Sequence, residues 1–271
     1  MRRPRSSLLA VLAVAVVGIV LVGCGDDTAS TSAPSVTTTT VAAGPTLLGE
    51  VTVFAASSLT ESFTELGKQF EAAHPGVEVT LNFGASSALV QQITGGAPVD
   101  VFASADESNM KKLTDAGLGA GAATVFARNQ LEILVEAGNP KSITGLADLA
   151  EPDLAVVLCA ESVPCGKLAK QILDAAHVAV TAKSLEENVK GVVTKVTLGE
   201  ADAGIVYVTD VLAAKDRAAG VEIPDDQNAV TKYPIVVTKA AANPDAAAAF
   251  EAFVTSSDGQ VVLKGYGFDT P

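Results

Sequence analysis

The sequence predicts an α/β protein folded as two lobes, and three observations carry that expectation. From Leu48 onward, short apolar or β-branched runs alternate with stretches of helical period, the pattern of strands joined by crossover helices in a mainly parallel sheet. The alternation comes in two series that together occupy about 225 residues, enough for two modest cores. No internal repeat of roughly 20–50 residues and no coiled-coil heptad offers another plan. A ligand would then sit between the lobes, near the carboxyl ends of strands, where helix N-termini point.

The first series opens with "EVTVFAA", a run of β-forming residues that reads as a strand. "LTESFTELGKQFEAAH" follows as an amphipathic helix with a stop at "HPG". "VEVTLNF" is a period-two strand, "SALVQQITGG" a short helix halted by two glycines, "VDVFASA" a strand and "ESNMKKLTDAG" a helix. In the second series "QLEILVE" is a strand, "SITGLADLA" a short helix, "LAVVLCA" a strand, and "CGKLAKQILDAAH" a helix opened by a "VPCG" turn. "SLEENVKGVVTKVTLGE" then reads as one helix, "ADAGIVYVTD" and "YPIVVTK" as strands, and "NPDAAAAFEAFVTSSDGQVVLKGYGF" as two helices broken at "SSDG".

The N-terminus belongs to export rather than to the fold. "MRRPRSS" is a basic n-region and Leu8 to Val22 an apolar run of 15 residues, short for a membrane span, so residues 1–23 read as a signal peptide. "LVGC" resembles a lipobox, which makes Cys24 the acylated residue of a lipoprotein. Residues 24–47, rich in Thr, Ser, Ala and Pro without apolar periodicity, read as a disordered tether. About 22 such residues reach roughly 25 Å, enough to hold a domain off a membrane surface. The expected location is extracytoplasmic, lipid-anchored to the outer face of the cell membrane or periplasmic.

Charge and cysteine count narrow the partners. The whole chain has a formal charge of −13, and loss of Arg2, Arg3 and Arg5 leaves 15 basic against 31 acidic side chains, or −16. That argues against nucleic acid or an anionic lipid surface as a partner, and any anion site must work by local geometry. With Cys24 assigned to lipid, Cys159 and Cys165 remain as an even pair in an oxidising compartment and are expected to form a disulfide across "CAESVPC". A metal site is the weaker reading of that pair, because His74 and His177 are the only histidines and neither is near in sequence.

Enzyme signatures are missing where they would be needed. "GASSA", Gly84 to Ala88, departs from G-x-S-x-G, and there is no Walker sequence, HExxH or CxxC. His74 and His177 both stand at predicted helix ends, where they complement a dipole. What recurs is a strand, a small polar turn and a helix: Ser57 and Ser58, Ser86 and Ser87, Cys165 and Gly166, Asn188 and Val189. These are either four helix caps or four N-termini aimed at one anion, each offering free N–H groups and about half a positive charge.

"VFAASSLTESF", "LNFGASSALVQQITGGAPVDVFASADESNMKKL", "SVPCGKLAKQIL", "ENVKGVV", "GEADAGIVYVTD" and "KGYGF" follow one another in the order and spacing of the extracytoplasmic molybdate-binding proteins. The chain resembles that family, the solute-binding components of ABC importers, from about Val51 to Phe268. The resemblance implies a type II periplasmic-binding-protein fold, with residues 48–128 and 233–271 as one lobe, 129–232 as the other, and hinge strands around "FARNQ" and "KYPIV". It implies no enzyme activity, no cofactor, and a monomer that binds molybdate or tungstate and serves a permease and its ATPase. Position by position, it puts serine ligands on Ser58 and Ser86, backbone N–H donors on Cys165 and Val189, and a hydroxyl donor on Tyr207. Ser57 and Cys165 stand where relatives have alanine; Ser57 is expected to tune its turn or add a local bond. Other tetrahedral oxyanions such as sulfate or phosphate, ferric iron, and an esterase using Ser58 or Ser86 are the alternatives.

Overall fold

The computed structural model describes residues 46–271; the export segment, Cys24 and most of the tether lie outside the described residues. The first half contains strands β1 (Gly49–Ala56), β2 (Val77–Gly84) and β3 (Val101–Ala103), with helices α1 (Thr60–Ala73), α2 (Ser86–Thr94) and α3 (Glu107–Asp115) between and after them. A one-turn 3-10 segment, Ser57–Leu59, joins β1 to α1. β1 is paired in parallel with β2 on one side and β3 on the other, and its Val51, Val53, Phe54 and Ala55 are buried. That is why it reads as a nearly continuous apolar run.

Two long strands follow from the chain's middle and end, β4 (Thr124–Glu136) and β9 (Val230–Val237). They pair antiparallel, with an irregularity between Val125 and Ala127. Between them lie β5 (Val156–Cys159), α4 (Pro164–Ala175), β6 (Ser184–Glu186), α5 (Val189–Thr197), β7 (Ala203–Tyr207), α6 (Val208–Ala214) and β8 (Ala218–Glu222). The chain closes with α7 (Pro244–Thr255) and α8 (Ser257–Gly265). The strand order is β2-β1-β3-β9-β4-β7-β5-β6, with β8 on β4.

Two bodies of core sit along this path. One contains Val53, Phe63, Leu66, Phe70, Phe126, Tyr233 and Phe250, backed across the sheet by Phe54, Leu89, Phe102 and Leu113. The other contains Leu131, Ile133, Val157, Leu173, Val192 and Ile205. β4 passes from the first into the second: Phe126 and Ala127 pack in one, Leu131 to Val135 in the other.

The structure corrects four local expectations. The sheet is not mainly parallel: β1 with β2 and β3, and β5 with β6 and β7, are parallel, while β3 with β9 and β4 with β7, β8 and β9 are antiparallel. "SLEENVKGVVTKVTLGE" is a strand and then a helix, because extended Asn188 caps α5 by accepting the Gly191 N–H at 3.2 Å. "GIVYVTD" turns into α6 at Val208, helped by the Asp210 carboxylate accepting the Tyr207 N–H at 3.4 Å. "SITGLADLA" makes only a 3-10 turn, Leu146–Ala150, since Asp148 accepts from the Thr144 N–H, the Thr144 hydroxyl and the Gly145 N–H.

Candidate functional site

The carboxyl ends of β1, β2 and β7 and the loops after β3, β5 and β6 open onto one small cavity of about 10 Å³. Clefts for drug-sized ligands run roughly 300–1,000 Å³, so this space is far too small for an organic ligand of that size. Ser58, Ser86, Cys165, Val189 and Tyr207, widely separated in the chain, all line it, as do Ser57 and Asn188. Among the described residues, no lysine, arginine, histidine or carboxylate does. His74 and His177 are elsewhere, which leaves the cavity serines without a general base.

Each segment presents the start of a helix. Intrahelical bonding begins with the Ala88 and Leu89 N–H groups on Ala85 O, the Lys167 N–H on Val163 O, and the Gly191 N–H on Asn188 O. The N–H groups just ahead, including those of Ser86, Cys165 and Val189, belong to first turns that have no acceptor within the helix. Their dipoles give the cavity a positive potential without a charged side chain.

Capping does not account for the serines. Neither the Ser57–Leu59 turn nor α1 nor α2 has a side-chain cap bond, whereas Asp106, Asn188 and Ser256 do cap their helices. Ser86 Oγ accepts the Ala105 N–H at 2.9 Å. Ser58 Oγ lies 3.0 Å from Tyr233 Oη. The Ser57 hydroxyl makes no hydrogen bond among the described residues; the expected local contact is carried by its carbonyl, which accepts from the Thr60 hydroxyl at 2.6 Å. The Tyr207 hydroxyl is buried with no partner among the described residues. Burial pushes the phenols of both Tyr207 and Tyr233 well above their ordinary range, so both remain protonated.

The loop that presents the Cys165 N–H is tied at both ends. Cys159 and Cys165 form a disulfide with Cα atoms 5.8 Å apart. Gly166 lies so close against the Ala160 carbonyl that a Cβ there would collide with backbone. Pro164 opens α4 at a position where no N–H is needed.

A charged cluster is centred on Lys190, the residue after Val189. Lys190 Nζ lies 2.7 Å from Glu61 Oε2 on α1 and 2.9 Å from Asp210 Oδ1 on α6, so it links helices of the two cores. Burial alone would lower the Lys190 pKa, but Asp210 and Glu61 carry it above its usual range. Burial raises Asp210, and Lys190 opposes that shift.

Sequence reasoning missed Tyr233, Ala105 and the Lys190 cluster. Tyr233 stood in a run read only as a strand, and its closeness to Ser58, 175 positions away, has no local signal. Among the described residues, no group of three or more His, Cys, Asp and Glu side chains could hold a metal ion. The cavity therefore offers donors and no charged acceptor, which suits an unprotonated anion.

Residues 51–269 match the family described as bacterial extracellular solute-binding protein. The molybdate-binding protein ModA of Mycobacterium tuberculosis is 42% identical over 252 residues, covering 93% of each chain. The substrate-binding domain of a putative molybdenum ABC transporter from Clostridium difficile superposes with a TM-score of 0.62 at 31% identity, over 82% of this chain and 99% of that one. The sulfate-binding protein SubI of M. tuberculosis shares the fold, with a TM-score of 0.74 at 20% identity over 82% and 87%. With these neighbours, the architecture is the type II periplasmic-binding-protein fold. Strand alternation, a cavity of helix N-termini and the match over nearly all of the described chain lead to one assignment: the chain belongs to the bacterial extracellular solute-binding protein family.

Proposed function

We propose that the chain captures molybdate, and tungstate with it, outside the cytoplasm and delivers it to the permease of an ABC importer. One observation carries the reading: Ser58, Ser86, Cys165, Val189 and Tyr207, from separate segments, line one cavity that has no charged side chain among the described residues. Ser58 and Ser86 donate from the lobe of residues 48–128 and 233–271. The Cys165 and Val189 N–H groups and the Tyr207 hydroxyl donate from the lobe of residues 129–232. An anion held from both sides stabilises the closed form, which the permease and its ATPase recognise. The 42% identity to a molybdate-binding protein supports this choice of anion.

Hydrogen bonds to a charged group contribute about 1.5–3 kcal/mol each, so five contribute about 8–15 kcal/mol. Association costs on the order of 4–15 kcal/mol, which leaves room for useful affinity. An ion smaller than molybdate cannot reach every donor, and each unfilled buried donor carries a penalty. A protonated oxyanion sets an O–H against an N–H. We further propose that Cys24 carries the lipid anchor and residues 24–47 form the tether.

Calorimetric titration of the purified protein with molybdate, tungstate, sulfate and phosphate tests the reading. Heat with the first two and little with the others is expected. Preference for sulfate would shift the assignment toward the activity named for SubI; no heat with any of the four would overturn it.

A further inference from the structure

The two cavity serines differ in what holds their oxygens. Ser86 Oγ accepts from the Ala105 N–H, a group that can only donate, so the Ser86 proton is free for the cavity. Ser58 Oγ meets Tyr233 Oη instead, and either hydroxyl can be the donor. In one direction Ser58 gives its proton to the tyrosine and turns only lone pairs toward the cavity. In the other, Tyr233 donates and the Ser58 proton points at the ligand. An unprotonated oxyanion only accepts, so it bonds to Ser58 in the second direction alone.

We infer that Tyr233 is a positioning residue for anion binding: its hydroxyl donates to Ser58 Oγ and thereby turns the Ser58 proton onto the oxyanion. The inference rests on the oxyanion reading of this cavity. It adds a residue that does not line the cavity and whose hydroxyl meets the lining at Ser58 Oγ.

The surroundings of Tyr233 suit that task. The residue is fully buried, and its ring is packed edge-on by Phe126 at 6.3 Å, Phe268 at 5.2 Å and Tyr207 at 6.1 Å. With the ring fixed, the hydroxyl rotor is the remaining freedom, and a bound anion selects its direction. A phenol kept protonated by burial has its proton available throughout the physiological range. A donor chain from tyrosine to serine to anion also polarises each bond in the same sense. The closing "KGYGF" segment gains a role, since its Phe268 forms one wall of the tyrosine's slot.

The test is a double-mutant cycle read by molybdate calorimetry on the wild type, Tyr233→Phe, Ser58→Ala and the double variant. Phenylalanine keeps the ring packing, and near-ultraviolet circular dichroism checks that the variants fold. Tyr233→Phe is expected to weaken molybdate binding about 3- to 10-fold in the wild type and to have almost no effect once Ser58 is alanine, a coupling within the range for contacting residues. Equal losses in both backgrounds would reduce Tyr233 to a packing residue and overturn the inference, as would no loss in either. A second arm places 3-fluorotyrosine at position 233. A more acidic phenol donates more strongly, so binding should tighten; unchanged or weaker binding counts against the inference even if Tyr233→Phe fails to fold. If the wild type binds none of the four oxyanions, the functional reading falls and takes this inference with it. If the wild type binds and the cycle shows no coupling, only the inference falls.

Discussion

Replacing Tyr207 by phenylalanine separates a binding group from a folding group, because the two roles predict opposite signs. The side chain is 2% exposed, its ring packs edge-on to Tyr233 at 6.1 Å, and its hydroxyl has no partner among the described residues. Phenylalanine keeps the ring contact and deletes only the oxygen. In ligand-free protein the deletion removes a buried donor that costs about 1–3 kcal/mol when unsatisfied. Water entering an open cleft offsets part of that cost, so stability should hold or rise by up to about 1 kcal/mol. For a chain of this size 1 kcal/mol corresponds to about 2–4 °C in Tm.

With the anion bound, the same deletion loses a hydrogen bond to a charged group, about 1.5–3 kcal/mol. That is about 10- to 150-fold in Kd. Urea denaturation without ligand and calorimetry with molybdate give the two numbers on one sample. A variant that is less stable by 1 kcal/mol or more yet binds as well as the wild type would refute the reasoning, because Tyr207 would then be holding the fold and not the ion.

Three further perturbations probe the supports of the site. Gly166→Ala drives a methyl group into the Ala160 carbonyl of a loop already tied by the disulfide; a loss of about 1–3 kcal/mol is expected for such overpacking, read by urea denaturation, together with weaker molybdate binding. Glu61→Gln removes the partner that Lys190 finds across the two cores and should weaken binding about 2- to 5-fold, as expected for a partly exposed pair, with the difference shrinking at high salt; titrations at two ionic strengths check this. Glu132 lies opposite Glu222 in the β4–β8 register, and burial, then Glu222, raises its pKa above 4.5. A raised carboxyl pKa means stability present below the unfolded value and lost as pH rises through the folded one. Glu132→Gln should therefore raise Tm at pH 7, and the gain should vanish as pH falls toward 4.5.

Much of this architecture was legible because local pattern and burial agree. β1 reads as an apolar run since both its faces are covered, and α1 declares its inward face through Phe63, Leu66 and Phe70. The five proposed donors came from the family resemblance, and they fall around one cavity. What escaped notice lacked a local signature. β8, "AAGVE", has little β propensity and is a strand because it lies along β4. The antiparallel crossing of β4 and β9 depends on where two distant runs meet. Tyr233 and Lys190 matter through contacts made 175 and 129 positions away, distances over which periodicity and capping rules say nothing.

Anomalous diffraction from crystals grown with tungstate or molybdate tests the central claim most directly, because the heavy atom marks its own position. The account predicts one strong anomalous peak in the cavity, with ligand oxygens at hydrogen-bond distance from Ser58 Oγ, Ser86 Oγ, the Cys165 and Val189 nitrogens and Tyr207 Oη. A peak outside that cavity, or a metal coordinated directly by carboxylate or histidine side chains, would contradict it.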